Sequence, residues 1–251
     1  MTLIIALLAT IALINGAAAA TPAADCDVPD SFLSSDSDLT HVMSEIKDHQ
    51  RLDISVLGSG SSSLPGPDGA NFAYPAQLEE VLAQRLPGNT VKVAAHVQSR
   101  ELTKTMVDDL QKILAGDQPA LVIWQAGTSD ALNGVEPEDF RASLEDGVET
   151  IEKAGADVIL MNMQYSPRTD AMLDVSTYAD VMHWVAQQQG ALLFDRLGIM
   201  RYWNDAGIFD LYTATKSYDM ARRVHNCIGR ALASQIINAA HLDAVRMQTT
   251  R

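Results

Sequence analysis

Positive charge is scarce in this chain. Eighteen Lys and Arg stand against 32 Asp and Glu, a formal net charge of -14, with no basic run or Lys/Arg-rich stripe. That balance argues against nucleic acid as a partner, and it repels an anionic membrane or acidic polysaccharide at long range unless a local basic pocket overrides it. Metal chemistry lacks its ligands: no His/Cys/Asp/Glu group has ligating spacing, and His96 and His183 are isolated in the sequence. Gly58-Ser59-Gly60 lacks the Lys-Ser/Thr of a phosphate-binding loop and the last glycine of a dinucleotide fingerprint. No cofactor is therefore expected. After residue 20 no apolar run is long enough to span a bilayer.

What is present begins with an apolar start. Residues 1–20 are almost all apolar or small and end in four alanines, with Ala18 and Ala20 suited to the -3 and -1 positions of a cleavage site. They read as a secretory signal peptide, although no Lys or Arg precedes the apolar run, and a retained anchor is the alternative. An extended arm over residues 21–36, one domain over 37–243 and a tail over 244–251 follow, with a periplasmic or secreted location. There are only two cysteines, Cys26 and Cys227. In an exported protein such a pair forms a disulfide; the alternative is two unpaired thiols.

Between residues 50 and 240 short apolar runs alternate with helical periodicity. Strands are expected at Ile54–Leu57, Val91–Ala94, Leu121–Trp124, Val158–Met161 and Ala191–Phe194. Between them lie helices with apolar residues at helical spacing, such as Leu102, Met106, Leu110 and Leu114, and one that opens on Pro137. Ser37 or Asp38 is placed to cap a first helix carrying Leu39, Val42, Met43 and Ile46. Near-continuous apolar strands separated by amphipathic helices predict an α/β fold, a three-layer α/β/α sandwich around a five-stranded, mostly parallel sheet. Chemistry in such a sheet gathers at the carboxyl ends of its strands, here Gly58–Gly69, Ala95–Arg100, Gln125–Gly134, Gln164–Asp174 and Asp195–Gly198. Glu79-Glu80, Asp108-Asp109 and Glu136 to Asp139 read as solvent-facing or dipole-complementing carboxylates. His183, in Val181-Met182-His183-Trp184, reads as a packed helix residue.

Several of these pieces, taken in order, resemble the SGNH/GDSL-type esterases and lipases, in particular a secreted proteobacterial branch. They are Ile54–Gly58 with its Ser-rich turn and Tyr74-Pro75, the run Leu121 to Thr128, Ala154 to Met161, Gln164-Tyr165-Ser166-Pro167, and Cys227 with Arg230 to Ala233. A Cys26–Cys227 pairing also fits that branch. The resemblance implies a serine nucleophile after the first strand. It also implies oxyanion donors from a glycine after the second and an asparagine after the third, and a histidine base in a C-terminal Asp-x-x-His.

Carried over residue by residue, those groups are replaced. The turn that should read Gly-x-Ser is Gly58-Ser59-Gly60, so Gly60 takes the nucleophile position. Ser99 takes the glycine position, and Gly127-Thr128-Ser129-Asp130 puts Ser129 at the asparagine. With Cys227 as anchor, Lys216 falls at the aspartate and Asp219 at the histidine. The expected crevice is lined by Gly58, Ser59, Gly60, Ser61, Ser99, Gly127, Ser129, Asp130 and Asp219, with Lys216 pairing to Asp219. It suits a degenerate hydrolase that binds a glycan or an acylated cell-envelope molecule. The competing expectation is an active esterase or acyltransferase using Ser59, Ser61 or Ser62 with His225, which has Arg222 where its aspartate belongs.

Overall fold

The structure is a computed structural model that describes residues 26–34, 37–213 and 217–242. The expected signal peptide, residues 21–25, 35 and 36 of the arm, the tail and Lys216 lie outside the described residues.

Five strands form one sheet: β1 Arg51–Gly58, β2 Thr90–Val97, β3 Leu121–Gln125, β4 Asp157–Met161 and β5 Leu192–Phe194. Their order is β2-β1-β3-β4-β5, and every pairing is parallel. The helices are α1 Thr40–His49, α2 Gly69–Phe72, α3 Tyr74–Arg85, α4 Thr103–Asp117, α5 Thr128–Asn133, α6 Pro137–Lys153, α7 Pro167–Asp170, α8 Ser176–Gln189, α9 Arg196–Asp205 and α10 Asp219–Ala239. The expected strands and long helices are present, with ends moved by a few residues. Helices α2, α5, α7 and α9, which all lie between a strand end and the next long helix, are additional to the expected elements.

Strand alternation divides the interior into two layers. Leu121 and Ile123 of β3, with Ile159 and Met161 of β4, pack under α1, α3, α9 and α10. Val122 and Trp124, with Val158 and Leu160, pack under α4, α6 and α8. Both faces of the sheet are buried, which is why the strands are apolar at successive positions. At α6 the helix comes so close that a Cβ on Gly147 would lie 2.2 Å from the Trp124 ring. Gly147→Ala gains helix propensity but forces that buried ring to move, so a net loss of about 1–2 kcal/mol is expected, read as a lower denaturation midpoint with altered tryptophan fluorescence.

The first helix is not capped as expected. The residue before it is Leu39, with no side-chain cap. Instead Asp157 of β4 accepts the Val42 backbone N–H at 2.9 Å. Burial pushes the Asp157 carboxyl up despite hydrogen bonds from the α1 backbone. Asp38 instead lies 3.0 Å from His241. Glu79 is no solvent-facing carboxylate either: it accepts the Val93 N–H of edge strand β2 at 2.7 Å. His183 is exposed on α8, against the packed position expected for it.

Cys26 and Cys227 form a disulfide, tying the start of the described chain to α10 across a separation of 201 residues. No helix among the described residues is long and apolar enough to cross a membrane.

Candidate functional site at the strand ends

Register aligns the carboxyl ends of β1 and β3: Leu57 pairs with Trp124, so the turn after Gly58 opens above Gln125. Residues Gly60–Ser62 form a single 3-10 turn. The side-chain amide oxygen of Gln125 is its hub. Oε1 accepts from the Ser59 backbone N–H at 3.0 Å and faces the hydroxyls of Ser59 at 3.1, Ser61 at 3.2 and Ser62 at 3.0 Å. Gly58 makes this folding-back possible, because a Cβ there would lie 2.3 Å from Ser62 Oγ. Ser62 Oγ also meets the Tyr74 phenol at 3.0 Å.

Beneath the turn lies Arg196, the first residue of α9, fully buried. Its Nη2 donates to Ser61 Oγ at 3.2 Å and its Nη1 to the Ser61 carbonyl at 3.4 Å. Burial lowers its pKa to about 10. Tyr74 is equally buried, and burial raises its phenol pKa in spite of the Arg196 charge and the Ser62 hydrogen bond.

His225 is buried on α10, where its Nδ1 accepts the Tyr74 backbone N–H at 3.0 Å. That bond leaves the ring proton on Nε2 in the neutral form. Burial, and secondarily the Arg196 charge, lower its pKa to about 4. No hydrogen bond joins it to a serine hydroxyl among the described residues, and Arg222 stacks over Phe72 at 4.1 Å. The geometry is that of a neutral histidine whose Nδ1 is occupied by a backbone N–H and which has little basicity near pH 7.

The remaining expected residues scatter. Ser99 is exposed beside Gly60, whose Cβ would lie 3.3 Å from Ser99 Oγ. Ser129 is buried in α5 just past Gly127, which turns the chain with a φ of 97°. Asp130 does not present a free carboxylate: it accepts Thr103 N at 3.0, Thr103 Oγ1 at 2.8 and Gly127 N at 3.3 Å, pinning α4 to α5. Asp219 is exposed and accepts from Ser217 Oγ at 2.9 Å. Gln125, Tyr74 and Arg196 were not singled out from sequence. The available signal was a polar side chain directly after an apolar strand, as in Trp124-Gln125 and Phe194-Asp195-Arg196.

His96 is not isolated. Its Nε2 lies 2.6 Å from Asp117 Oδ2, which also accepts from Ser55 Oγ at 2.7 Å. Burial raises the Asp117 carboxyl, but those two partners outweigh it and hold the pKa low. His96 and Asp117 line a cleft of about 420 Å³ between β2 and α4, apart from the serine turn. Ser55 bonds the carboxylate rather than the imidazole, so this is no nucleophile–base pair.

Among known proteins, the model of the Non-GDSL lipase-like family matches residues 25–242. No curated protein matches the chain. The solved structure of TesA is similar at 26% identity and a TM-score of 0.51, covering 56% of this chain and 76% of its own. A psychrotrophic esterase, EstA from Pseudoalteromonas sp., inhibited by monoethylphosphonate, has 18% identity and a TM-score of 0.57, covering 74% and 97%. An acetyl xylan esterase, AlAXEase, has 13% identity and a TM-score of 0.59, covering 75% and 99%.

Proposed function

We propose, from the fact that the chain belongs to the Non-GDSL lipase-like family, that it uses an SGNH/GDSL hydrolase-like scaffold to bind a glycan or an acylated cell-envelope molecule without cleaving it. The observation that carries this reading is His225. An esterase base must reach a serine hydroxyl, and this imidazole is spent on the Tyr74 N–H with a pKa of about 4. Gly60 has no hydroxyl to activate, and Ser59, Ser61 and Ser62 are turned toward Gln125.

The ligand class rests on the rim. Five of the seven large apolar residues exposed among the described ones, Phe72, Leu132, Met172, Tyr212 and Tyr218, lie on segments that follow the carboxyl ends of β1, β3, β4 and β5, whereas Trp184 and Tyr202 lie along α8 and α9. Exposed aromatic faces and a methionine around the strand ends suit sugar rings or acyl chains. The acetyl xylan esterase among the similar structures acts on an acylated sugar polymer. Export to the periplasm or outside is part of the reading, supported by the apolar start and the disulfide.

A second reading, an active esterase, is favoured by the three hydroxyls at the strand end and by the esterases among the similar structures. The two separate cleanly. The protein is expected not to be labelled by a fluorophosphonate serine probe and to turn over p-nitrophenyl acetate no faster than its His225→Ala variant. Stoichiometric labelling at Ser59, Ser61 or Ser62, with turnover lost in His225→Ala, would establish the esterase instead.

A further inference from the structure

A buried guanidinium normally faces a carboxylate, because an uncompensated charge in the interior is strongly unfavourable. Arg196 has no ion pair among the described residues, and its polar contacts are the hydroxyl and carbonyl of Ser61. The titratable neighbours do not supply the missing charge. Tyr74 is held protonated by burial, and His225 is neutral. Two N–H donors of the same cluster, Arg196 Nε and Gln125 Nε2, are buried without a partner. Arg196 and Gln125 share Ser61 Oγ, each 3.2 Å from it. The cluster thus has spare donors, one full positive charge and no anion.

We propose that Arg196, Gln125 and Ser61 form an anion site that takes the carboxylate or phosphate group of a ligand. Planar guanidinium donors match either oxyanion in bidentate fashion, and a buried cation gives the interaction a strength that surface lysines lack. The net charge of -14 does not oppose this at short range, since screening confines it while the guanidinium acts at contact. Arg196 is covered by the turn it binds, so the ligand's oxyanion enters as Gly60–Ser62 lifts and takes over the donors now spent on Ser61. This site deepens the binding role proposed above and rests on it. It selects an acidic ligand, such as a uronate-type sugar or a phosphorylated envelope lipid, over a neutral one.

The test is thermal unfolding of the purified protein in a Hepes background with sodium acetate, inorganic phosphate or sodium chloride added at low millimolar concentration. A saturable rise with acetate or phosphate is expected, about 5–10 °C at a hundredfold excess over Kd. Response to acetate identifies a carboxylate ligand, and response to phosphate a phosphoryl one. Arg196→Met is expected to melt higher than wild type without added anion and to lose the response. Should that variant fail to fold, Gln125→Glu carries the test: it builds a carboxylate into the cluster, so a raised midpoint and a lost response are expected. A flat wild-type response, an equal response in the variants, or a rise seen only with molar salt of any kind would overturn the site. None of these results bears on fluorophosphonate labelling, so the site and the non-hydrolytic role fail separately.

Discussion

Reducing the Cys26–Cys227 disulfide is expected to lower the free energy of unfolding by about 5 kcal/mol, or about 10–20 °C in midpoint. The size follows from the separation of 201 residues that the bridge closes. Cross-linking so much of the chain removes more conformational freedom from the unfolded state than any local contact does, and the loss grows only with the logarithm of loop length. Both cysteines are buried in the layer shared by α1, α3 and α10, and Arg230 Nη1 lies 3.6 Å from Cys26 Sγ. Opening the bridge therefore also frees the segment ahead of α1. The check is a pair of melts, with and without dithiothreitol, alongside a Cys26→Ser/Cys227→Ser double variant. Equal midpoints, with thiol titration proving reduction, would show that packing alone holds the two ends together.

The second large effect is acid sensitivity centred on His225. Its pKa falls from 6.5 in the open chain to about 4 in the fold, through burial and then the Arg196 charge. The unfolded chain therefore binds the proton more tightly between those values. The stabilisation is complete above pH 6.5 and is lost as pH falls toward 4. By about pH 5 the loss is about 2 kcal/mol, and it approaches about 3 kcal/mol below pH 4. His225→Asn retains an acceptor for the Tyr74 N–H and does not titrate. Its unfolding free energy is expected to change less than that of wild type between pH 7.5 and 5, measured by chemical denaturation. Parallel pH profiles for the two proteins would mean that this imidazole stays unburdened by its surroundings.

Arg196 adds to the acid sensitivity that burial sets up and carries the anion site, yet its role was invisible in the sequence. It follows Asp195 at the end of a three-residue strand, and Gly198 breaks the helical pattern that would announce α9. That glycine lies where Asp195 caps the helix by accepting Gly198 N–H at 2.9 Å, a contact a larger residue would obstruct. Gln125 was hidden for a different reason. One polar residue after four apolar ones reads as a strand end, and nothing local tells whether its amide meets solvent or three serines. Asp130 and Asp219 illustrate the opposite error. Their positions relative to the family motifs suggested a shared crevice, but one carboxylate is consumed by Thr103 and Gly127 and the other lies exposed.

The chain alone determined the parallel five-stranded sheet, its covering helices and the family scaffold, because burial on both faces forces apolar strands and helical periodicity into the primary structure. The resemblance to the family added the expectation that the usual serine, asparagine and Asp-x-x-His positions hold other residues. Only the tertiary arrangement decided what the side chains at the strand ends meet. Side chains far apart in sequence, Ser61, Gln125 and Arg196, meet at one turn, with His225 bonded to the Tyr74 backbone, and the charge states of Arg196 and His225 follow from burial and proximity that no local pattern encodes.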